Sequence, residues 1–450
     1  MQEAKIFLAK NKDLTTKDFN PRNYEPKYLE TKRNLQNYKS LNNYLNDEIK
    51  GGSTPPYYFF KEPHEDGIPF CKTSAINRDF INLNDLHYVD EKFHRTKLSR
   101  SITKPYDVIY SMTGKFMGKA ALCPKVIPEM NMSQNSVVIK NDNKLFLAQT
   151  CIFLNSQINR IQITGTYSIT KQKYINQGRI AQLKVPEFIK SRSKQLENYL
   201  NNLDIYYEST KNIKNLINNF NSEILNCNKI DDSAKSFIKK KQKINTKILT
   251  PKHYDNFNDE IIKQIKKLKK NKTLLDYKPR KGDEISSSNY IEEGIPFVKT
   301  SGFSNFGVDT QSNHYCSEEV YIEKNQQINL GDIIFTKDGK IGEIGIIDET
   351  KKVVLSAGIV ALTIKDLEMR YWSFLLLNSA YGKIMFKKWN VIASTMSHLR
   401  KDIYNEFLVP EFTKEIKEKY ILKIIKLFEQ KINAHKNINL SKSKILEVLK

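Results

Sequence analysis

The chain has 450 residues, 39% hydrophobic and 27% charged, and its 73 Lys and Arg outweigh 50 Asp and Glu to give a formal charge of +23. That length predicts two or three domains, and that charge predicts a polyanionic partner, nucleic acid ahead of an anionic membrane. A membrane span is excluded because no apolar run nears ~18 residues. Residues 1–13 lack the apolar core of a secretory signal, and the five cysteines form no CxxC pair, which fits a reduced cytoplasm without structural zinc or a disulfide scaffold.

Taken in chain order, the segments of the first half return in the second. Pro21-Arg-Asn-Tyr24 returns as Pro251-Lys-His-Tyr254. Gly67–Ser74, GIPF-x-KTS, returns at Gly294–Ser301. Asp107-Val-Ile-Tyr followed by Gly114-Lys115 returns as Asp332-Ile-Ile-Phe followed by Gly339-Lys340. Leu154-Asn-Ser returns at Leu377, and Val185-Pro-Glu-Phe at Val409. All five recur in one order at offsets of 223 to 230 residues, so the chain is a duplicated domain rather than a solenoid.

Each copy opens with strand-like segments such as Asp332–Phe335 and Val353–Ile364, punctuated by Gly-rich turns. A VPEF segment closes it, and a long helical pattern follows. Tyr199, Leu203, Tyr206, Ile213, Ile217, Phe220 and Ile224 recur at 3/4 spacing, broken only at Thr210. Tyr420, Ile424, Leu427, Ala434, Ile438, Ile445 and Val448 do the same, with breaks at Lys431 and Ser441. Such a stripe buries one face, and the length of these helices points to packing on each other rather than each on its own domain. A chain break with a fresh N-cap is expected near Asp231-Asp232-Ser233, followed by a solvated basic stretch at Lys239–Lys243. Lys263–Lys272 reads as an amphipathic helix with Ile261, Ile262, Ile265 and Leu268 on its apolar side.

The catalytic inventory is thin. An amino-methyltransferase needs a [DNS]-P-P-[YFW] loop, and Thr54-Pro-Pro-Tyr57 reads instead as a Pro-rich turn. No P-loop occurs, and Gly339-Lys-Ile-Gly342-Glu-Ile-Gly345 lies between strand-like runs as a β-hairpin. Seven His without HxxxH or HExxH spacing argue against a metal, and Glu187 and Glu411 each open a long helix, where an acid complements the dipole. What remains is binding. Lys72-Thr73-Ser74 and Lys299-Thr300-Ser301 offer hydrogen-bond donors to phosphates or base edges. Lys115, Lys119, Lys337 and Lys340 lie on the second repeated turn. Thr395, His398 and Arg400 precede the closing strand of copy two, and Lys171 and Lys173 hold that place in copy one.

These motifs resemble the specificity (S) subunits of Type I restriction–modification systems. The likeness rests on the doubled G-[IV]-P-[FV]-x-[KR] segment, on Gly331-Asp-Ile-Ile-Phe-Thr-Lys-Asp-Gly339, on Ser394–Leu399, on the closing V-P, and on the leader Asp18–Tyr28. Copy one departs from it, with Tyr106-Asp107 in place of Gly-Asp and Met112-Thr113-Gly114 in place of Lys-Asp-Gly. The resemblance implies an α/β fold with two duplicated target-recognition domains joined by long antiparallel coiled-coil helices. The corresponding division is 1–188, 189–250 as a helical spacer, 251–410, and 411–450 as a second helix. It implies a non-catalytic, cytoplasmic protein that reads a bipartite site in double-stranded DNA. Its partners would be DNA adenine methyltransferase (M) subunits and a restriction (R) subunit. S-adenosylmethionine, ATP and Mg would sit on those partners, with no cofactor or metal on this chain and no membrane contact. On the residues alone, a DNA methyltransferase or nuclease acting itself and a basic coiled-coil RNA-binding protein stay open.

Overall fold

The computed structural model describes residues 25–61, 67–114, 117–164, 168–169, 173–227, 256–268, 272–311, 314–349, 352–393 and 396–448. Two compact units divide them: residues 1–208 with 433–450, and residues 209–432. Both cuts fall inside long helices, because each unit takes a part of each helix into its own core.

The first unit holds an antiparallel sheet ordered Lys50–Gly51, Ser136–Ile139, Val108–Ser111, Ala120–Leu122. A second sheet is ordered Phe60–Lys61, His87–Val89, Ile68–Cys71, Asn131–Met132, its last pair parallel. The helix Lys144–Asn155, capped by Asn143 on the Leu145 and Phe146 amides, is buried over most of its length. Asn155 at its end exchanges two hydrogen bonds with the Ala120 backbone, at 3.0 and 2.8 Å. The closing Val185 pairs with Lys39, and Gln149 donates to the Glu187 carbonyl at 2.8 Å.

The second unit repeats this plan. Its sheet runs Arg280–Lys281, Ile359–Leu362, Ile333–Thr336, Ile344–Ile346, so Ile334 faces Ala361 as Ile109 faces Val138. Beside it Ile295–Val298 pairs antiparallel with Tyr315–Cys316 and parallel with Val354–Leu355. The helix Leu367–Asn378, capped by Asp366, takes the place of Lys144–Asn155. Its Trp372 indole donates to the Pro410 carbonyl at 2.7 Å, which ties down the second V-P as Gln149 ties down the first.

One long helix spans Ser193–Glu223, and the other is α-helical over Lys414–Ile416 and Leu422–Leu446 with a π-helical stretch at Lys417–Ile421. In the first unit Asn202 meets Asn437 and Tyr206 meets His435. In the second Phe220 meets Tyr420, and Glu223 accepts from the Tyr420 hydroxyl at 2.6 Å. Asn202 to Tyr206 runs against Asn437 to His435, and Phe220 to Glu223 against Tyr420 to Lys419, so the pairing is antiparallel in both units. Tyr199, Leu203 and Tyr206 join Ala434, Ile438 and Ile445 in one core. Ile213, Ile217 and Phe220 join Tyr420 and Ile424 in the other.

The structure corrects several local expectations. Thr210, Lys431 and Ser441, which interrupt the apolar stripes, are all buried, whereas Val448 is exposed. Lys431 is tolerated there because its Nζ lies 2.6 Å from Asp348 Oδ2, and both side chains are buried. Lys442 is likewise held by Asp79 in the first unit. The amphipathic helix runs Asn256–Lys266 and buries Ile261, Ile262 and Ile265. Leu268 is exposed, and Lys272 is in a strand because Lys272–Thr273 pairs with Leu408–Val409. The strand expected over Val353–Ile364 is two, Val354–Leu355 and Ile359–Leu362, parted by a turn. The chain segments Pro21–Tyr24, Asp231–Ser233, Lys239–Lys243 and Pro251–Tyr254 lie outside the described residues.

Two stability predictions follow from these buried groups. Lys431→Ala leaves the Asp348 carboxylate buried without its cation, and chemical denaturation should show a loss of about 3–5 kcal/mol. Lys431→Met with Asp348→Leu should recover most of it. The second concerns His94, whose Nδ1 lies 2.7 Å from the Asn131 amide nitrogen. Burial pushes its pKa below 6.5, and nearby Glu129 only partly offsets this. The unfolded chain therefore binds the proton more readily, so stability should fall as pH drops below about 6.5. The pH dependence of the unfolding midpoint should be shallower between pH 6.5 and 5 in His94→Gln than in the wild type.

Candidate nucleic-acid interface

The two KTS loops are built alike. Each follows an inner strand, Ile68–Cys71 or Ile295–Val298, and turns at once into a short 3-10 stretch, Thr73–Ala75 or Thr300–Gly302. The Lys72 ammonium sits 4.9 Å from the centre of the Phe60 ring, and Lys299 sits 4.7 Å from that of Tyr290. An aromatic face thus orients each cation while Ser74 and Ser301 remain exposed.

A second feature recurs next to them. After the strand Val108–Ser111 the chain turns through Met112-Thr113-Gly114, and after Ile333–Thr336 through Lys337-Asp338-Gly339. The Met112 amide donates to the Asn135 carbonyl at 2.9 Å, and the Lys337 amide donates to that of Gly358 at 2.8 Å. A short hairpin then docks on the turn: Ser168–Ile169 with Lys173–Tyr174 in one unit, Asn390–Ala393 with Met396–Leu399 in the other. The Ile175 amide donates to the Met112 carbonyl at 3.0 Å, and the Leu399 amide to that of Lys337 at 2.8 Å. Thr113 thereby faces Tyr174, and Asp338 faces His398.

In the second unit the turn, the hairpin and the KTS loop converge. A Cβ built on Gly358 would lie 2.7 Å from Thr300 Cγ2 and 3.4 Å from Asp338 Cβ, so Gly alone fits there. Asp338 accepts from His398 Nδ1 at 2.8 Å and from Lys337 Nζ. Desolvation raises the Asp338 pKa, but these two donors outweigh it and hold the carboxyl below its usual range. Lys340 lies 3.0 Å from Glu343, and Arg400 Nε donates to Asp402 at 3.0 Å.

Thus Thr300, Lys337 and His398 come together, with Lys299, Ser301, Lys340 and Arg400 on the same or adjoining loops. In the first unit Lys173 is exposed on the docked hairpin, beside Tyr174. Lys72, Thr73 and Ser74 occupy the matching loop, and the Ser133 amide beside it donates to the Cys71 carbonyl at 3.0 Å. Lys119 corrects the expectation of an exposed loop cation. It adjoins the strand Ala120–Leu122, is buried, and directs Nζ to Asn77 Oδ1 at 3.5 Å. Lys115, Lys171 and Thr395 lie outside the described residues. Thr113, Tyr174 and Asp338 were not singled out as candidates. For Thr113 and Asp338 the signal was the position just before Gly114 and Gly339, where the two copies differ.

Thr54 Oγ1 donates to the Gln134 side chain, and Tyr57–Phe59 forms a 3-10 turn with Tyr57 and Tyr58 exposed. Among the described residues no group of three or more His, Cys, Asp or Glu side chains is placed to hold a metal ion. No described helix is long and apolar enough to cross a membrane.

No protein-family profile and no curated protein matches the chain. Among solved structures it is similar to the Type I restriction–modification S subunit from M. genitalium, at 14% identity and a TM-score of 0.29, over 91% of this chain and 92% of that one. It is similar to the HsdS subunit from Thermoanaerobacter tengcongensis at 13% identity and a TM-score of 0.29, over 90% and 95%. A chain solved in work on complex assembly and conformational transition of the type I R-M system matches at 14% identity and a TM-score of 0.30, over 90% and 96%.

Proposed function

We propose that this chain is a DNA-specificity subunit of the Type I restriction–modification kind. It reads a bipartite site in double-stranded DNA, one half with each target-recognition domain, and performs no chemistry itself. In this reading residues 1–188 and 251–410 are the recognition domains, while 189–250 and 411–450 form the helical spacer. DNA adenine methyltransferase subunits would dock on the helices, with a restriction subunit added to the complex in the cytoplasm. S-adenosylmethionine, ATP and Mg belong to those partners.

The observation that carries the reading is the doubled junction. Each unit presents a KTS loop with a cation held over an aromatic ring, and a turn on which a short hairpin docks through the same backbone bonds. Two such surfaces on a chain of charge +23 suit two segments of one polyanion.

Binding of defined duplex DNA should weaken steeply with salt, because each phosphate contact adds about −0.9 to the log–log slope. Lys337→Gln with Lys340→Gln should flatten that slope by up to about 2. An unchanged slope would place the contacts elsewhere. Equal competition by structured RNA would favour a general RNA-binding protein, and methyl transfer by the contamination-free chain would defeat the non-catalytic assignment.

The helices supply a sharper test. Seven residues inserted between Glu208 and Ser209, matched by seven between Ile432 and Asn433, add roughly 10 Å to each helix, the length of about three base pairs. Methylation sites mapped after reconstitution with the partner methyltransferase should keep both half-sites and gain a longer gap. An unchanged gap would mean that the helices do not set the spacing.

A further inference from the structure

The two junctions share a backbone frame but not their facing side chains. Thr113 and Tyr174 hold the place in the first unit that Asp338 and His398 hold in the second. Neighbouring positions differ less in kind, since Lys72 and Lys299 are both lysines set over an aromatic ring. Lysines of that sort suit phosphates, which carry no sequence information. A residue pair that changes chemistry on a constant frame suits base edges.

The second-unit pair is built to present one atom. The Asp338 carboxylate accepts a hydrogen bond from His398 Nδ1, at 2.8 Å, which places the proton on that nitrogen and fixes the orientation of the ring. The second carboxylate oxygen is held by Lys337. His398 is exposed, with 47% of its side-chain surface open to solvent, so Nε2 is the ring nitrogen left for a partner. As an acceptor it matches the amino groups of adenine N6 or cytosine N4. As a donor, on the protonated ring, it matches guanine N7 or O6. Tyr174 is also exposed and offers a hydroxyl that both donates and accepts.

We propose that the facing pairs Thr113–Tyr174 and Asp338–His398 are the specificity-determining positions of the two units, with His398 and Tyr174 touching base edges and Asp338 acting as a positioning residue for His398. This rests on the DNA-reading function proposed above and assigns which residues give the two half-sites different sequences.

The test is selection of bound DNA from a random-sequence duplex pool by the full-length chain, followed by sequencing. Wild-type protein should enrich two constant segments separated by a gap. His398→Gln and Asp338→Asn should each relax discrimination roughly tenfold at one or two adjacent base pairs of one segment, and leave the other segment intact. Tyr174→Phe should do the reverse. The base enriched opposite His398 shows whether Nε2 accepts or donates. If these variants lower affinity for every sequence alike and both segments survive unaltered, His398 and Tyr174 contact only the backbone and the assignment is overturned. If the wild-type chain enriches no segment, the DNA-reading function itself fails. Should Asp338→Asn lower the melting temperature, His398→Gln still decides, because that side chain is exposed.

Discussion

Two apolar helical stripes govern this structure. A face carrying Tyr199, Leu203, Tyr206, Ile213, Ile217 and Phe220 cannot stay in water, and neither can one carrying Tyr420, Ile424, Ala434, Ile438 and Ile445. Each stripe is longer than one domain core needs, so each helix closes one core with its first part and the other core with its second. The sheets, the inner helices Lys144–Asn155 and Leu367–Asn378, and the V-P segments tied by Gln149 and Trp372 complete those cores. Two lysines on one helix, the buried Lys431 and the partly buried Lys442, find a carboxylate in the second and first unit respectively. An unpaired charge would be costly in either place, so these pairs penalise any slip of the helix along its partner.

The residues of the proposed interface depend on the same logic at smaller scale. In so basic a chain, repulsion would scatter the loop cations, yet several are steered by a defined neighbour. Phenyl and phenol rings hold Lys72 and Lys299, while Asp338, Glu343 and Asp402 hold Lys337, Lys340 and Arg400. Such contacts are each worth only about 0–1 kcal/mol near the surface. Their effect is geometric: they reduce the number of positions a long side chain samples.

Much of the plan was legible in the residues because it was written twice. The doubled GIPF and Asp-Val/Ile-Ile segments become equivalent strands in equivalent registers, and the 3/4 stripes become the two long helices. The misreadings share a cause, which is long-range pairing. Lys431 reads as a break in a stripe because periodicity cannot reveal Asp348, 83 residues away. Lys119 reads as a loop cation because nothing local shows that it is buried with Asn77. Leu268 and Lys272 read as helix until the strand Leu408–Val409 claims the segment. At the interface, the lysine loops stood out as repeats, but the meeting of Asp338 with His398 depends on a hairpin that folds back across 60 residues.

The interleaving of the helices also bears on how the molecule is made. The first core includes Ala434, Ile438 and Ile445, so it stays incomplete on the ribosome until those residues have emerged. At about 5–20 residues per second, the roughly 200 residues between the two stripes take some 10–40 s to synthesise. Throughout that interval Tyr199, Leu203 and Tyr206 lack Ala434, Ile438 and Ile445, and the apolar surface those residues cover is open to neighbouring nascent chains. Slower translation therefore lengthens the window in which a holdase chaperone can cover that surface.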